Sequence, residues 1–397
     1  MTALLSTLAG GKVVIALEGQ RGGGGRPSAG MKRDFTPVSW RNYWDTCQDV
    51  TVECDSFRVY HRGSSGPLLV FLHGGGYSAL TWSLVAVSVT EMVECQVMAF
   101  DQRGHGDTRT SNDGDLSPET LSRDIANVCA ALFGSTQPPT VLVGHSMGGA
   151  IAVHASHDDA MCGLAGLVVI DVVEGTAMDA LSSMQSFLRS RPSKFNTLQS
   201  AIEWSVRSGQ TRSMEAAKVS MPGQIKSIET GLCGTNDVDS SANSTTSPST
   251  SSPAVAPRAD VIMEEDADNS NTTHSTSESS SPFAAPQPVS VLGSGYTWRI
   301  DLGATERYWS GWFKGLSAKF LSAPPGKMLI LAGIDRLDTD LTVGQMQGKF
   351  QMQVLPQCGH AVQEDTPDRV AQVIAGFLTR YRLAQPRDAF HRIMPAC

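Results

Sequence analysis

The sequence predicts an α/β protein: a mostly parallel, doubly wound sheet flanked by helices, with a helical cap inserted after the strand that ends at Asp171. Short apolar runs bounded by turn residues recur along the chain and read as buried strands: FRVYHRG, PLLVFLHGGG, QVMAFDQRGHG, TVLVGHS, LAGLVVIDVV, KMLILAGID and FQMQVLPQCGH. Helical patterns fall between them, which calls for parallel pairing through crossovers. Between Asp171 and Lys327 the strand rhythm stops and a set of helices replaces it.

The elements follow in order. Residues 1–31, ending in QRGGGGRPSAG, cannot bury apolar surface and are expected to be a disordered Gly-rich leader. Residues 32–175 form the first part of the core. Its clearest helix is LSPETLSRDIANVCAALFG, with Ser117 as N-cap, Pro118 at the first helical position, and Leu121, Ile125, Val128 and Leu132 on one face. Residues 176–326 form the cap, with helices in TAMDALSSMQSFLRSR, TLQSAIEWSVRSG and SMEAAKVSM and an aromatic-rich helical segment over 296–322. Inside it, about 233–294 is nearly all Ser, Thr, Asn, Pro and Ala and is expected to be a disordered loop. The core resumes over 327–385, closing with a helix that carries Pro367, Val370, Val373, Ile374 and Phe377, and 386–397 is a tail.

With 397 residues, 41% of them hydrophobic, the chain can bury a sizeable core. Its charge of −8, from 39 acidic and 31 basic residues without a long Lys/Arg run, argues against nucleic-acid and anionic-membrane partners. The eight cysteines form no C-x-x-C pair and read as reduced thiols of a cytoplasmic protein, with the nucleus as a second compartment. No Lys or Arg precedes the apolar N-terminal stretch, which argues against a secretory signal.

The chemistry concentrates in GHSMG, residues 144–148, which lies between an apolar strand and a small-residue helix. That context makes G-x-S-x-G a nucleophile elbow, with Gly144 and Gly148 keeping side chains out of a crowded turn and Ser146 as the nucleophile. A serine hydroxyl needs a base, and His360 fits: it follows the last strand and precedes the last helix. His145 inside the elbow, His73 before a glycine loop, His105 in DQRGHG and His274 in the low-complexity tract have plainer explanations. DQRGHG reads as a loop former without a catalytic role.

Two aspartates end strands where the acid could lie, Asp171 in LVVIDVVEGTA and Asp335 in MLILAGIDRLD. Chain order accepts both, and α/β-hydrolases more often place the acid after the penultimate strand, the position of Asp335. Either could instead be a helix cap or a loop-fixing carboxylate. HGGG at 73–76 matches the loop that supplies an oxyanion-hole N–H in esterases, so the expected donors are the N–H groups of Gly75 and Met147.

Longer blocks carry a resemblance. GHSMGGAIAVHAS, VVIDVVEGTAMDALSSMQSFLRSRP, AIEWSVRSGQ, YTWRIDL, WFKGLS and LAGIDRLDTDLTVGQMQGKFQMQVLPQCGHAVQED, with KRDFTPVSW and HGGGYSALTW upstream, resemble the protein phosphatase methylesterase 1 family. The resemblance runs from Lys32 to about Arg382 apart from the low-complexity loop. It implies an α/β-hydrolase fold and a serine carboxylesterase that removes the methyl group from the C-terminal leucine methyl ester of the protein phosphatase 2A catalytic subunit, which would be its partner. It also implies a triad of Ser146, His360 and Asp171, leaving Asp335 as the alternative acid, and no metal or cofactor. The competing readings are a general esterase or lipase for small esters and a non-catalytic phosphatase-binding protein of the same fold.

Overall fold

A computed structural model describes residues 33–158, 161, 163–244, 294–333, 337–388 and 390. The Gly-rich leader, residues 245–293 of the low-complexity loop, Asp335 and the end of the tail lie outside them.

The core alternates strands and helices in the order β1 (Thr46–Val52), β2 (Asp55–Arg62), β3 (Leu68–Leu72), α1 (Ser83–Met92), β4 (Gln96–Phe100), α2 (Pro118–Phe133), β5 (Thr140–His145), α3 (Met147–His157) and β6 (Leu164–Ile170). The chain then leaves the sheet for α4 (Glu174–Ser190), α5 (Leu198–Arg207), α6 (Met214–Ser220), β7 (Ile225–Ser227), α7 (Gly234–Ser244), β8 (Tyr296–Trp298), α8 (Glu306–Phe313) and α9 (Leu316–Ser322). It returns through β9 (Gly326–Leu331), α10 (Thr339–Met346), β10 (Gln351–Val354), α11 (Val362–Asp365) and α12 (Pro367–Arg380).

Eight strands form one sheet in the order β1-β2-β4-β3-β5-β6-β9-β10. Only β2 runs against its neighbours β1 and β4; the pairings from β4 through β10 are parallel. β3 and β5 are buried at every position because helices cover both faces. The two-residue alternation then splits each strand between two cores: Leu68, Val70 and Leu72 face α2 and α3, whereas Leu69 and Phe71 face α1 and α12. All seven strands expected from the sequence are present. β1 was not anticipated, because this edge strand is largely solvent-exposed and its sequence, TCQDVTV, has no continuous apolar run.

Helix α2 starts as its sequence dictates. Ser117 is extended, its hydroxyl accepts the Thr120 N–H, and Pro118 occupies the first turn. Leu121, Ile125 and Val128 are buried and Leu132 packs beside them.

The cap departs from expectation in two places. Residues 234–244, placed by composition in the disordered loop, form α7, because tertiary partners hold them. Asp107 accepts from Thr235 Oγ1 at 2.5 Å and from Asn236 Nδ2 at 2.7 Å, Asp239 accepts from Trp40 Nε1 at 2.9 Å, and Val238 is buried. Tyr296–Trp298, expected to begin a helix, is strand β8 paired antiparallel with β7; an additional pairing with Phe195 and the packing of Trp298 against Phe195 and Trp204 outweigh the helical pattern. Helix α8 clamps the cap to the core: Trp309, Trp312 and Phe313 are buried, and Trp312 Nε1 donates to the Leu116 carbonyl at 2.7 Å. Burying one such aromatic removes on the order of 200 Å² from water, about 5 kcal/mol before the entropy cost of ordering it. Among the described residues, no helix is long and apolar enough to cross a membrane.

Candidate active site

Because the strands from β4 to β10 are parallel, their carboxyl ends share one edge of the sheet, and the chemistry-bearing residues gather there. Ser146 stands between β5 and α3 with φ 53° and ψ −119°, a conformation that costs a non-glycine residue energy and lifts its side chain out of the turn. Its neighbours must be glycine: a Cβ on Gly144 would be driven into the Gly148 carbonyl, and one on Gly148 into the Leu72 and His73 carbonyls. The Ser146 N–H donates to the Ile170 carbonyl at 3.0 Å, fastening the elbow to β6.

The residue after Ile170 is Asp171, also at positive φ (51°), with its N–H on the Ile330 carbonyl at 2.8 Å. One carboxylate oxygen accepts the Ala332 N–H at 3.1 Å, and the other meets His360 Nδ1 at 2.8 Å. The Asp171 side chain is fully buried and that of His360 is 12% exposed. A carboxylate at Nδ1 holds the imidazole proton there and directs Nε2 as the basic nitrogen. The geometry therefore brings Asp171 and His360 together, while Ser146, Met147, Gly75 and His360 all line one cavity of about 320 Å³.

The glycine loop folds back on itself, with the Tyr77 N–H on the Gly74 carbonyl at 3.1 Å. A Cβ on Gly74 would lie 3.3 Å from Ser146 Cβ, and one on Gly75 would lie 3.7 Å from Met147 Sδ, so the loop passes directly over the elbow. Two buried histidines shape it. The Gly76 N–H donates to His105 Nε2 at 2.9 Å, which leaves His105 Nδ1 protonated and donating to the Arg103 carbonyl. His73 repeats the arrangement: Nε2 accepts the Gln102 N–H and Nδ1 donates to the Gly74 carbonyl, each at 2.9 Å. Burial keeps both neutral, pushing His73 well below the usual histidine range and His105 down to about 4. DQRGHG is thus more than a loop former, because it sets the shape of the glycine loop beside Ser146.

His145 has a comparable role that its position inside the elbow did not disclose. Its Nε2 donates to the main-chain carbonyl of His360 at 2.7 Å, and Gln363 Nε2 approaches its Nδ1 at 3.4 Å. Burial, aided by repulsion from His360, lowers its pKa to about 3. Gln363 also donates to Thr81 Oγ1, whose hydroxyl in turn donates to buried Glu364 at 2.7 Å. The recurrence of His in HGGG, DQRGHG and GHSMG was the available signal, but no spacing rule states which carbonyl each ring would meet.

The cavity wall is apolar where α4 contributes Leu181, Met184 and Leu188 and where Leu302, Trp309 and Phe313 face them. Arg191, Gln210 and Gln224 add polar groups.

Comparison with known proteins agrees with this architecture. The Alpha/beta hydrolase family matches residues 69–373. A mouse protein described as protein phosphatase methylesterase 1 is 50% identical over 95% of this chain and 94% of its own length. A Caenorhabditis elegans protein described as a probable protein phosphatase methylesterase 1 is 41% identical over 91% of this chain and 82% of its own. Among solved structures, E-2-(acetamidomethylene)succinate hydrolase superposes with a TM-score of 0.58 at 16% identity, covering 84% of this chain and 99% of its own, a likeness of fold. Half identity across nearly the whole of both chains, on a sheet with a serine elbow at its carboxyl edge, places this chain in the protein phosphatase methylesterase 1 family of α/β-hydrolases.

Proposed function

We propose that the protein is a serine carboxylesterase that removes the methyl group from the C-terminal leucine methyl ester of the protein phosphatase 2A catalytic subunit, acting in the cytoplasm with the nucleus as a second compartment. The observation that carries the reading is the 2.8 Å contact that Asp171 makes with Nδ1 of His360, which lines the same cavity as the strained Ser146. Membership of the methylesterase family supports the substrate.

In this reading His360 Nε2 takes the Ser146 proton as Oγ attacks the ester carbonyl. The N–H groups of Gly75 and Met147 hold the resulting oxyanion; Met147 opens helix α3, where a first-turn N–H has no intrahelical acceptor. His360 returns the proton to the departing methoxide, methanol leaves, and water releases the leucyl carboxylate by the reverse sequence. Asp171 keeps the imidazole oriented, and Asp335 remains the alternative acid. The apolar wall suits a leucine side chain.

The test is turnover of the methylated phosphatase catalytic subunit beside short acyl esters. Methanol release from the phosphatase at a kcat/KM well above that for the short esters supports the reading, and the reverse order would make the protein a general esterase. Ser146→Ala is expected to abolish release while leaving association with the phosphatase intact; full activity in that variant removes Ser146 as nucleophile.

A further inference from the structure

Arg191 follows α4 and enters the cavity beside the apolar wall. Its guanidinium lies over the Trp298 ring, 3.3 Å from the centroid. Among the described residues its buried Nε has no hydrogen-bond partner. The protein treats its other sheltered arginines differently: Arg103 is held by Asp124 at 2.8 Å and Asp55 at 2.9 Å, and Arg299 by Asp113 at 3.1 Å. A sheltered cation without a counter-charge is unfavourable, and an aromatic face offsets only part of that. Burial lowers the Arg191 pKa only to about 10, so the side chain stays charged at neutral pH.

The position of this charge bears on the reaction. A Cβ built on Gly76 would lie 4.0 Å from Arg191 Nη1, which puts the guanidinium against the glycine loop that passes over Ser146. A methyl ester carries no charge and cannot supply the counter-charge. A peptide carboxylate can, since its two oxygens match the guanidinium fork and a charge-assisted pair strengthens away from water.

We propose that Arg191 binds a carboxylate of the peptide substrate and makes the cavity selective for tails that carry one; the inference rests on the methylesterase reading. The carboxylate has two sources, an acidic side chain ahead of the esterified leucine and the leucine carboxylate that the reaction liberates.

The test uses the full-length protein, with Arg191→Gln and Arg191→Lys, on synthetic peptides ending in leucine methyl ester. One peptide has an acidic residue near its end and a second has the matching amide; the free-acid peptide and its C-terminal amide serve as inhibitors. For an acidic side chain, Arg191→Gln raises KM for the acidic tail at least tenfold more than for the amide tail. For the liberated carboxylate, it raises Ki for the free acid at least tenfold more than for the C-terminal amide. In either case Arg191→Lys, which keeps the charge and loses the fork, recovers part of the selectivity. Thermal unfolding identifies a variant that fails to fold, and the ratios are then read from the other. Equal effects across both pairs would overturn the proposal and leave Arg191 as a stacking partner of Trp298. A wild-type protein that cleaves short esters and neither tail overturns the methylesterase reading, and this inference with it.

Discussion

His145, inside the serine elbow, donates its Nε2 proton to the main-chain carbonyl of His360 at 2.7 Å, with the two rings 4.7 Å apart. The residue beside the proposed nucleophile thus anchors the loop that carries the proposed base. The carbonyl keeps a second donor, the Val362 N–H at 2.9 Å, so losing the His145 bond costs about 0.5–1.5 kcal/mol, and a reacting group displaced from its position loses rate. His145→Ala is expected to lower kcat/KM by up to roughly tenfold, with each 1.4 kcal/mol worth about a factor of ten, whereas His145→Gln, which keeps a donor, retains more activity. Steady-state kinetics on the methylated substrate check this, and equal losses in both variants would count against the anchoring role.

The two candidate acids differ in consequence. Asp171 accepts from Ala332 N–H and meets His360, so Asp171→Asn presents an amide where the imidazole proton is held. Loss of the proper tautomer costs about 10⁴ in kcat. With Asp171 as the acid, Asp335→Asn is expected to stay within about tenfold of the wild-type rate. A larger loss at Asp335 would reverse the assignment.

Gly148 admits no side chain, because a Cβ there meets the Leu72 and His73 carbonyls rather than a movable side chain. Gly148→Ala is expected to destabilise the fold by about 1–3 kcal/mol, the range for overpacking, and to displace Ser146. Urea denaturation gives the first effect, and esterase activity of the folded fraction gives the second.

Glu364 is buried, and desolvation raises its pKa from the ordinary value of 4.5 to about 7. A carboxyl whose folded pKa lies above its unfolded one adds stability in full below the unfolded value, and the addition is lost as pH rises through the folded value. Relative to Glu364→Gln, the wild type is therefore expected to lose stability between about pH 4.5 and 7, by up to about 1.4 kcal/mol per pH unit. Urea midpoints of both proteins across that range measure the difference, and parallel curves would show that Glu364 does not titrate there.

Asp107 ties α7 to the core through Thr235 and Asn236. Asp107→Ala removes an acceptor shared by two first-turn side chains, at a cost of about 1–2 kcal/mol. Limited proteolysis is expected to cut within 233–244 faster in the variant, and unchanged cleavage would show that Val238 and Asp239 hold the helix without it.

Much of this protein could be read from its sequence because the governing physics is local or periodic. Apolar runs of strand length with helices between them predict the parallel sheet, Ser117-Pro118 predicts the start of α2, and glycine on both sides of His145-Ser146-Met147 predicts a turn too tight for side chains. The positions of Ser146 and His360 followed from those elements. Tertiary structure decided what depends on residues far apart in the chain. Residue spacing left Asp171 and Asp335 open and family resemblance chose between them; the 2.8 Å contact with His360 joins residues 189 positions apart. Composition places α7 in a disordered loop because its partners, Asp107 and Trp40, lie more than a hundred residues upstream. The roles of His73, His105 and His145 arose in the same way: composition states that an imidazole is present, and only packing states which carbonyl or N–H it meets and that burial keeps it neutral.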